Sequence, residues 1–341
     1  RRPVANHLHH AVQQVVRHWG RRGAVAWLLW PASLGFGVVV FFRRFLYRTK
    51  ILGSKHPGVP VIVVGNLTAG GSGKTPLVLW IVELLKAHRW KPGIVSRGYG
   101  GSMTAKGGEA REANIASDPA EVGDEPILLA RRSGCPVWVS PERSAACRLL
   151  REKHPECDVI VTDDGLQHYA LARDIEVCVV DGRGFGNGFL LPAGPLREPP
   201  SRLRSVDAVV THGAAGQDGY QMRLEGDNLV RILDARDIRP AKSFAGQKVH
   251  AVAGIGDPKR FFLQLARFGL KPVPHPFPDH HPFRAADLDF GDEAPVVMTE
   301  KDAVKCKHFA KANHWVFPVN ASLDPAFGRW LLEKLSGSKA A

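Results

Sequence analysis

The sequence predicts an α/β protein built on a parallel sheet, with an N-terminal membrane-associated helical segment before it and a second, smaller α/β domain after it. Three observations predict this. Short β-branched apolar runs alternate with stretches of helical spacing. A glycine-rich loop lies between the first such run and the first such helix. A stretch of 20 uncharged residues, Gly23 to Phe42, precedes both. The expected divisions are 1–50 for the basic and apolar segment, 51–211 for the sheet with the glycine loop, and 212–341 for the smaller domain closing over a cleft.

Charge separates the first division from the rest. The 341 residues carry a formal net charge of +13. Ahead of Glu83 there are eleven Lys and Arg and no Asp or Glu, which leaves about +2 for everything downstream. The basicity is local, so a general nucleic-acid-binding surface is excluded. With 44% hydrophobic and 23% charged residues the chain is a folding one. The five cysteines fall in no metal-ligand spacing and are expected as small buried side chains in a reducing compartment.

Arg21-Arg22 and Arg43-Arg44 bracket the uncharged stretch, and Trp27 and Trp30 offer interface-seeking rings. A single span fits these residues. A helix or helical hairpin lying on anionic head groups fits them equally, and similar positive charge on both flanks leaves the orientation open. A cleaved signal peptide fits poorly, because basic residues continue past the run. Pro31, Gly35 and Gly37 are expected to kink or loosen the helix.

Val59 to Gly65 reads as a buried strand, and Pro76 to Lys86 as a helix. Between them lies Asn66-Leu-Thr-Ala-Gly-Gly-Ser-Gly-Lys-Thr75. Strand, glycine loop, Lys-Thr and helix in that order form a P-loop of the NTPase type. Thr68, Ala69, Gly70, Gly71, Ser72 and Gly73 would turn backbone N–H groups toward phosphates, and Lys74 would reach the β- and γ-phosphates of ATP. Thr75 would give its hydroxyl to Mg²⁺. Thr68 departs from the pattern, which has glycine at that position. Downstream, Asp158-Val-Ile-Val-Thr162 is another buried strand, ending in Asp163-Asp164-Gly165. A carboxylate there suits a magnesium ligand, though Asp-Gly also makes a turn. Asp163 and Asp164 both qualify.

Pro92 to Ser96, Pro136 to Ser140, Ile175 to Asp181 and Ala208 to Thr211 are expected as further strands, with a helix over Arg143 to Lys153. Gly213 to Gly219 reads as a connection. The smaller domain is expected to hold strands at Lys248 to Gly254, Pro295 to Thr299 and Trp315 to Val319, and a helix from Pro258 to Phe268.

Taken in order, Val64-Gly-Asn-Leu-Thr-Ala-Gly-Gly-Ser-Gly-Lys-Thr-Pro76, Ser96-Arg-Gly-Tyr-Gly100, Gly123-Asp-Glu-Pro126, Thr162-Asp-Asp-Gly-Leu-Gln-His168, Leu191-Pro-Ala-Gly-Pro-Leu-Arg-Glu-Pro199, Phe277-Pro-Asp-His280 and Met298-Thr-Glu-Lys-Asp302 resemble the tetraacyldisaccharide 4′-kinase family. The resemblance runs from the apolar segment to about residue 320. It implies transfer of the γ-phosphate of MgATP to the 4′-hydroxyl of a tetraacylated glucosamine disaccharide 1-phosphate, the lipid A precursor. It implies work at the cytoplasmic face of a bacterial inner membrane, on an anionic lipid surface, with no nucleic acid and no obligate protein partner.

By the same resemblance Asp124 and His280 form a catalytic carboxylate–imidazole pair able to take the proton of the attacking hydroxyl. Asp124 alone also reads as the N-cap of a helix, and His280-His281 as a loop or half of a metal site. Glu125 is implied as a further magnesium participant. Arg97, Tyr99, Gln167, His168, Arg197 and Glu198 are implied at the cleft and the acceptor, although Arg97 and Arg197 also suit structural ion pairs. Because Asp124 and His280 fall in different expected domains, the resemblance predicts a hinge whose closure assembles the pair. The rival reading is a P-loop ATPase, GTPase or ligase acting on a soluble substrate. Thr299-Glu-Lys-Asp302 gives it a superficial guanine-reading pattern.

Overall fold

β-Branched runs form strands here because both of their faces are covered. The computed structural model describes residues 18–102, 109–213 and 219–338. Arg1, Arg2 and Arg17 of the basic segment, and most of the connection expected at 213–219, lie outside these residues.

In chain order, helix α1 (Ala24–Arg48) precedes strand β1 (Val61–Gly65) and helix α2 (Lys74–Ala87). Strands β2 (Pro92–Ser96) and β3 (Arg111–Ala113) and helices α3 (Pro119–Val122) and α4 (Asp124–Ser133) follow. Next come β4 (Val137–Val139), α5 (Arg143–Lys153), β5 (Val159–Thr162), β6 (Ile175–Asp181), β7 (Ala208–His212) and β8 (Tyr220–Glu225). The last part holds β9 (Asn228–Arg231), β10 (Ile238–Pro240), β11 (Lys248–Ala253), α6 (Pro258–Arg267), β12 (Lys271–Pro276), β13 (Val296–Thr299), α7 (Glu300–Cys306), β14 (His314–Phe317), β15 (Asn320–Leu323) and α8 (Pro325–Ser338).

Contacts divide the chain into two compact units. The first comprises 1–74, 162–222 and 323–341. In it β1 pairs parallel with β6, β6 with β7, and β7 with β8. All of Val61 to Gly65 and all of Ile175 to Asp181 are buried, as their apolar residues require, and the buried Glu176 is met by Arg202 at 2.6 and 2.7 Å.

Helix α1 belongs to this unit. It runs through Pro31 as one continuous helix, so a hairpin is not formed. Ala26 and Ser33 mark its buried face. Ser33 Oγ donates to the Leu190 carbonyl at 2.9 Å and accepts from the Ala193 amide at 3.0 Å. Trp19 donates to the Pro192 carbonyl, Arg22 to that of Asn187, and Trp27 meets the Phe189 ring edge-on at 5.3 Å. The remaining faces leave Leu28, Leu34, Val38, Val39, Phe41, Phe42 and Phe45 exposed. A buried helix of a soluble core does not look like this. The helix is long and apolar enough to cross a bilayer.

The second unit comprises 75–161 and 223–322. Here β2 pairs parallel with β4 and β3 pairs antiparallel with β4, while α5 packs on β2 and β4. A separate six-stranded sheet has the order β10-β9-β14-β13-β11-β12. Its centre is parallel and its β9–β10 edge antiparallel. Helix α6 lays Phe261, Phe262 and Leu265 against Val249, Ala251, Trp315 and Phe317. Four of the five cysteines are buried and all are free, as expected.

Candidate active site

The phosphate loop emerges from β1 and is held from the side by the 195–197 segment. Ala69 N donates to Pro195 O at 2.8 Å and Arg197 N to Leu67 O at 2.7 Å, and Thr68 bridges Leu196 in β fashion. Thr68 therefore sits in ordinary extended pairing, where no glycine is required. Gly70 and Gly73 do require it, with φ of 101° and 85°. Arg183, anchored on Asp181, donates to the Gly71 carbonyl at 2.5 Å. The buried Ser72 hydroxyl has no hydrogen-bond partner among the described residues. An orphaned hydroxyl inside a glycine loop suits a phosphate-bearing ligand.

Lys74 ends this loop. Its ammonium donates to Asn66 Oδ1 at 3.2 Å and lies 3.4 Å from Asp164 Oδ1. Arg197 holds both oxygens of Asp164, at 2.9 and 3.0 Å. Asp164 occupies the left-handed region, φ 53°, and Asp163 is fully buried beside it. Gln167 donates to Asn66 O at 3.0 Å and to Glu198 Oε2 at 3.3 Å. Glu198 is itself 1% exposed. It accepts from the Tyr169 hydroxyl and lies near Arg202 Nε at 3.7 Å and Arg44 Nε at 3.9 Å. Burial, then the Glu198 charge, pushes the Tyr169 phenol up to about 12. Glu198 thus braces neighbouring side chains. His168 contributes its carbonyl to Arg173. All of these residues lie in the first unit.

The second unit holds the expected base. Helix α4 begins at Asp124 with Gly123 as its N-cap, so Asp124 is the first helical residue and not the cap. Gly123, at φ 89°, is required because a Cβ there would stand 2.6 Å from the Tyr99 carbonyl. Asp124 Oδ1 accepts from the Glu125 amide at 3.0 Å and meets His280 Nδ1 at 3.2 Å. Both partners lie in one unit and the bond is formed, so no hinge closure is needed to assemble the pair.

Electrostatics around the pair run in opposite directions. Burial raises the Asp124 carboxyl, but the His280 hydrogen bond and the Lys301, His280 and Lys305 charges outweigh it and hold it at about 2. Burial lowers the His280 ring, yet the hydrogen bond and charge of Asp124 raise it above its ordinary value. The Tyr99 ring lies 4.9 Å from that of His280, and Arg97 is exposed on the same loop after β2. His281 pairs with Asp287 at 3.1 Å and packs on Phe277 and Phe283. Among the described residues no cluster of three or more His, Cys, Asp or Glu could hold a metal.

Sequence reasoning missed several side chains. Asn66, Arg183 and Lys301 had no assigned role, although Asn66 and Lys301 stand inside the motifs quoted above. Lys301 Nζ lies 3.0 Å from Glu125 Oε1, 3.0 Å from Asp279 Oδ1 and 3.2 Å from His280 Nε2. Glu125, Asp124 and Asp279 raise it although burial works against them.

A glycine loop closing on a lysine at a helix start, with a carboxylate–imidazole pair elsewhere in the chain, defines the class of P-loop phosphotransferases. Comparison with known proteins narrows this class. The family model of tetraacyldisaccharide-1-P 4′-kinase matches residues 25–336. The tetraacyldisaccharide 4′-kinase of Azoarcus sp. is 53% identical over 325 residues, covering 93% of this chain and 94% of that protein. The enzyme of the same name from Nitrosococcus oceani is 48% identical over 322 residues, 94% of each chain. A crystal structure of LpxK from Aquifex aeolicus in complex with ATP superposes with a TM-score of 0.76 at 29% identity, over 91% of this chain and 99% of that one. The chain belongs to the tetraacyldisaccharide 4′-kinase family.

Proposed function

We propose that this chain transfers the γ-phosphate of ATP to the 4′-hydroxyl of a tetraacylated glucosamine disaccharide 1-phosphate, the lipid A precursor. The observation that carries this is the formed Asp124–His280 pair, a proton acceptor for an alcohol, in a chain that also bears a phosphate loop. A P-loop ATPase has no need of a base held this way for an alcohol acceptor. The ATP bound by LpxK from Aquifex aeolicus supports the choice of nucleotide.

The glycine loop and Lys74 hold the β- and γ-phosphates, and the Lys74–Asp164 and Lys74–Asn66 contacts yield to them. The hard oxygen donors of Asp163 or Asp164 and of Thr75 suit Mg²⁺, with Glu125 as a further candidate. Asp163 or Asp164 with Thr75 would hold such an ion with fewer than three acidic side chains. When bound it neutralises charge on the transferred group. Arg197 fixes Asp164, and Gln167, His168 and Glu198 shape the wall beside it. Asp124 and His280 take the hydroxyl proton, while Arg97 and Tyr99 face the acceptor.

Membrane attachment through α1 brings the enzyme to an acceptor whose acyl chains keep it in the bilayer. The exposed Arg43 and Arg48 at the end of α1 meet anionic head groups at the cytoplasmic face. Incubation with γ-labelled ATP, Mg²⁺ and the acceptor in mixed micelles puts label into lipid, and EDTA stops the transfer until Mg²⁺ is restored. ATP hydrolysis with no labelled lipid would instead favour an enzyme acting on a soluble substrate.

A further inference from the structure

The Thr299-Glu-Lys-Asp302 segment has a division of labour that explains each of its residues. Thr299 caps α7 by accepting from the Asp302 amide, and Asp302, fully buried, receives the Thr299 hydroxyl at 2.7 Å and the Gly254 amide at 2.9 Å. Glu300 takes both oxygens to Arg132, at 2.6 and 2.7 Å. These contacts fix the helix. Lys301 is the residue of the four whose charge is directed at the base pair.

We propose that Lys301 is a positioning residue of phosphoryl transfer, whose ammonium locks the His280 ring with Nδ1–H on Asp124 and Nε2 turned away from it. This rests on the reading of Asp124 and His280 as the base. A neutral imidazole has one donor and one acceptor nitrogen, whereas an ammonium has donors only. At 3.2 Å from Nε2, Lys301 selects the tautomer in which Nε2 accepts. The ring proton then sits on Nδ1, which faces Asp124 Oδ1 at 3.2 Å. The lysine does not depend on the ring for its place. Glu125 and Asp279 hold it from two sides, each at 3.0 Å.

Other charged and ring groups face the pair, and of those near Nε2 the Lys301 donor at 3.2 Å stands closer than the Asp279 acceptor at 3.8 Å. Lys305, one turn along α7, lies 3.5 Å from Asp124 Oδ2 and 3.0 Å from Asp302 Oδ1. Asp279 Oδ1 is 3.8 Å from His280 Nε2, and Tyr99 flanks the ring. His280 sits at φ 60°, a conformation an L-residue keeps only when its surroundings impose it. The competing account is that Lys301 merely offsets three nearby carboxylates, and it predicts a loss of stability without a change in the ring.

The test uses the full-length enzyme in detergent micelles, labelled with ¹⁵N-histidine, with the His280 signals identified by their absence in His280→Gln. Wild type shows the Nδ1–H tautomer. Lys301→Met moves the signals toward a tautomer mixture and lowers kcat about 100-fold, with KM for ATP and acceptor within about 3-fold. Lys301→Arg, which restores donors, recovers about 10-fold of that loss. Lys301→Gln is measured alongside, so that a folding failure of the methionine variant leaves the test standing. Unchanged His280 signals with kcat within about 2-fold of wild type, or a change in melting temperature alone, would overturn the proposal. Full activity in Asp124→Ala would remove the base reading instead, a result visible without the NMR measurement.

Discussion

His280 and Asp164 share an uncommon backbone conformation, φ 60° and 53°, and each carries a side chain assigned to the chemistry. Such conformations persist where the surroundings over-determine them, and at both positions ion pairs do so. Replacing Asp124 by Asn keeps the shape and removes the charge, and should lower kcat by about 10²- to 10⁴-fold in the labelled-transfer assay. Lys74→Ala should cost about 100-fold or more in the same assay, by loss of a donor to the transferred phosphate.

The Asp124 carboxyl also leaves a mark on stability. Its folded value, about 2, lies below the ordinary one, so its contribution is present above about pH 4 and is lost as pH falls toward 2. His280 has the opposite sign: its raised value favours the fold below about pH 6.5, and that contribution is lost as pH rises through the folded value. Denaturant titrations should therefore show wild type and Asp124→Asn differing most between about pH 4 and 6.5, with the gap narrowing on either side. A constant gap across pH would contradict these assignments.

At the scale of elements, α7 and α1 do different work. Asp302 ties α7 to the end of β11 through the Gly254 amide. Asp302→Ala strands that buried donor and should cost about 1–3 kcal/mol, read as a lower denaturation midpoint at unchanged m-value. Helix α1 docks one face on the 187–193 loop and leaves a row of large apolar side chains exposed. Phe41→Asp with Phe42→Asp should abolish co-flotation with anionic vesicles while leaving ATP binding within about 2-fold, since neither ring belongs to the phosphate loop. Retained flotation would assign the membrane contact elsewhere.

Over the whole molecule, what could be read from the residues follows from burial. β1 and β2 announce themselves because both faces are covered and every position is apolar or small, and β6 because its apolar run is broken only by Glu176 before it ends at Asp181. Strands β8, β9 and β10 do not. β8 has polar residues at alternate positions and only Met222 buried, β9 is four residues with only Leu229 buried, and β10 is three exposed residues, so pairing decides their conformation. The phosphate loop was legible as a strand, glycine loop and helix, since these lie within one contiguous stretch. Asp124 and His280 are 156 residues apart, and their pairing was available only through resemblance to a family. Lys301 stood inside a quoted motif, yet its contacts reach back 176 residues to Glu125 and 21 to His280, a proximity that spacing cannot express. Thr68 looked like a defect in the loop until its β-bridge to Leu196 showed that glycine is unnecessary there.

The central claim is the position phosphorylated. The direct measurement compares the natural acceptor with its 4′-deoxy analogue, using γ-labelled ATP and reading the product by ³¹P NMR. Wild-type enzyme should give a second phosphomonoester at the 4′-position of the natural acceptor and no labelled lipid from the analogue. Labelled lipid from the 4′-deoxy compound, or a product phosphorylated elsewhere, would contradict the account.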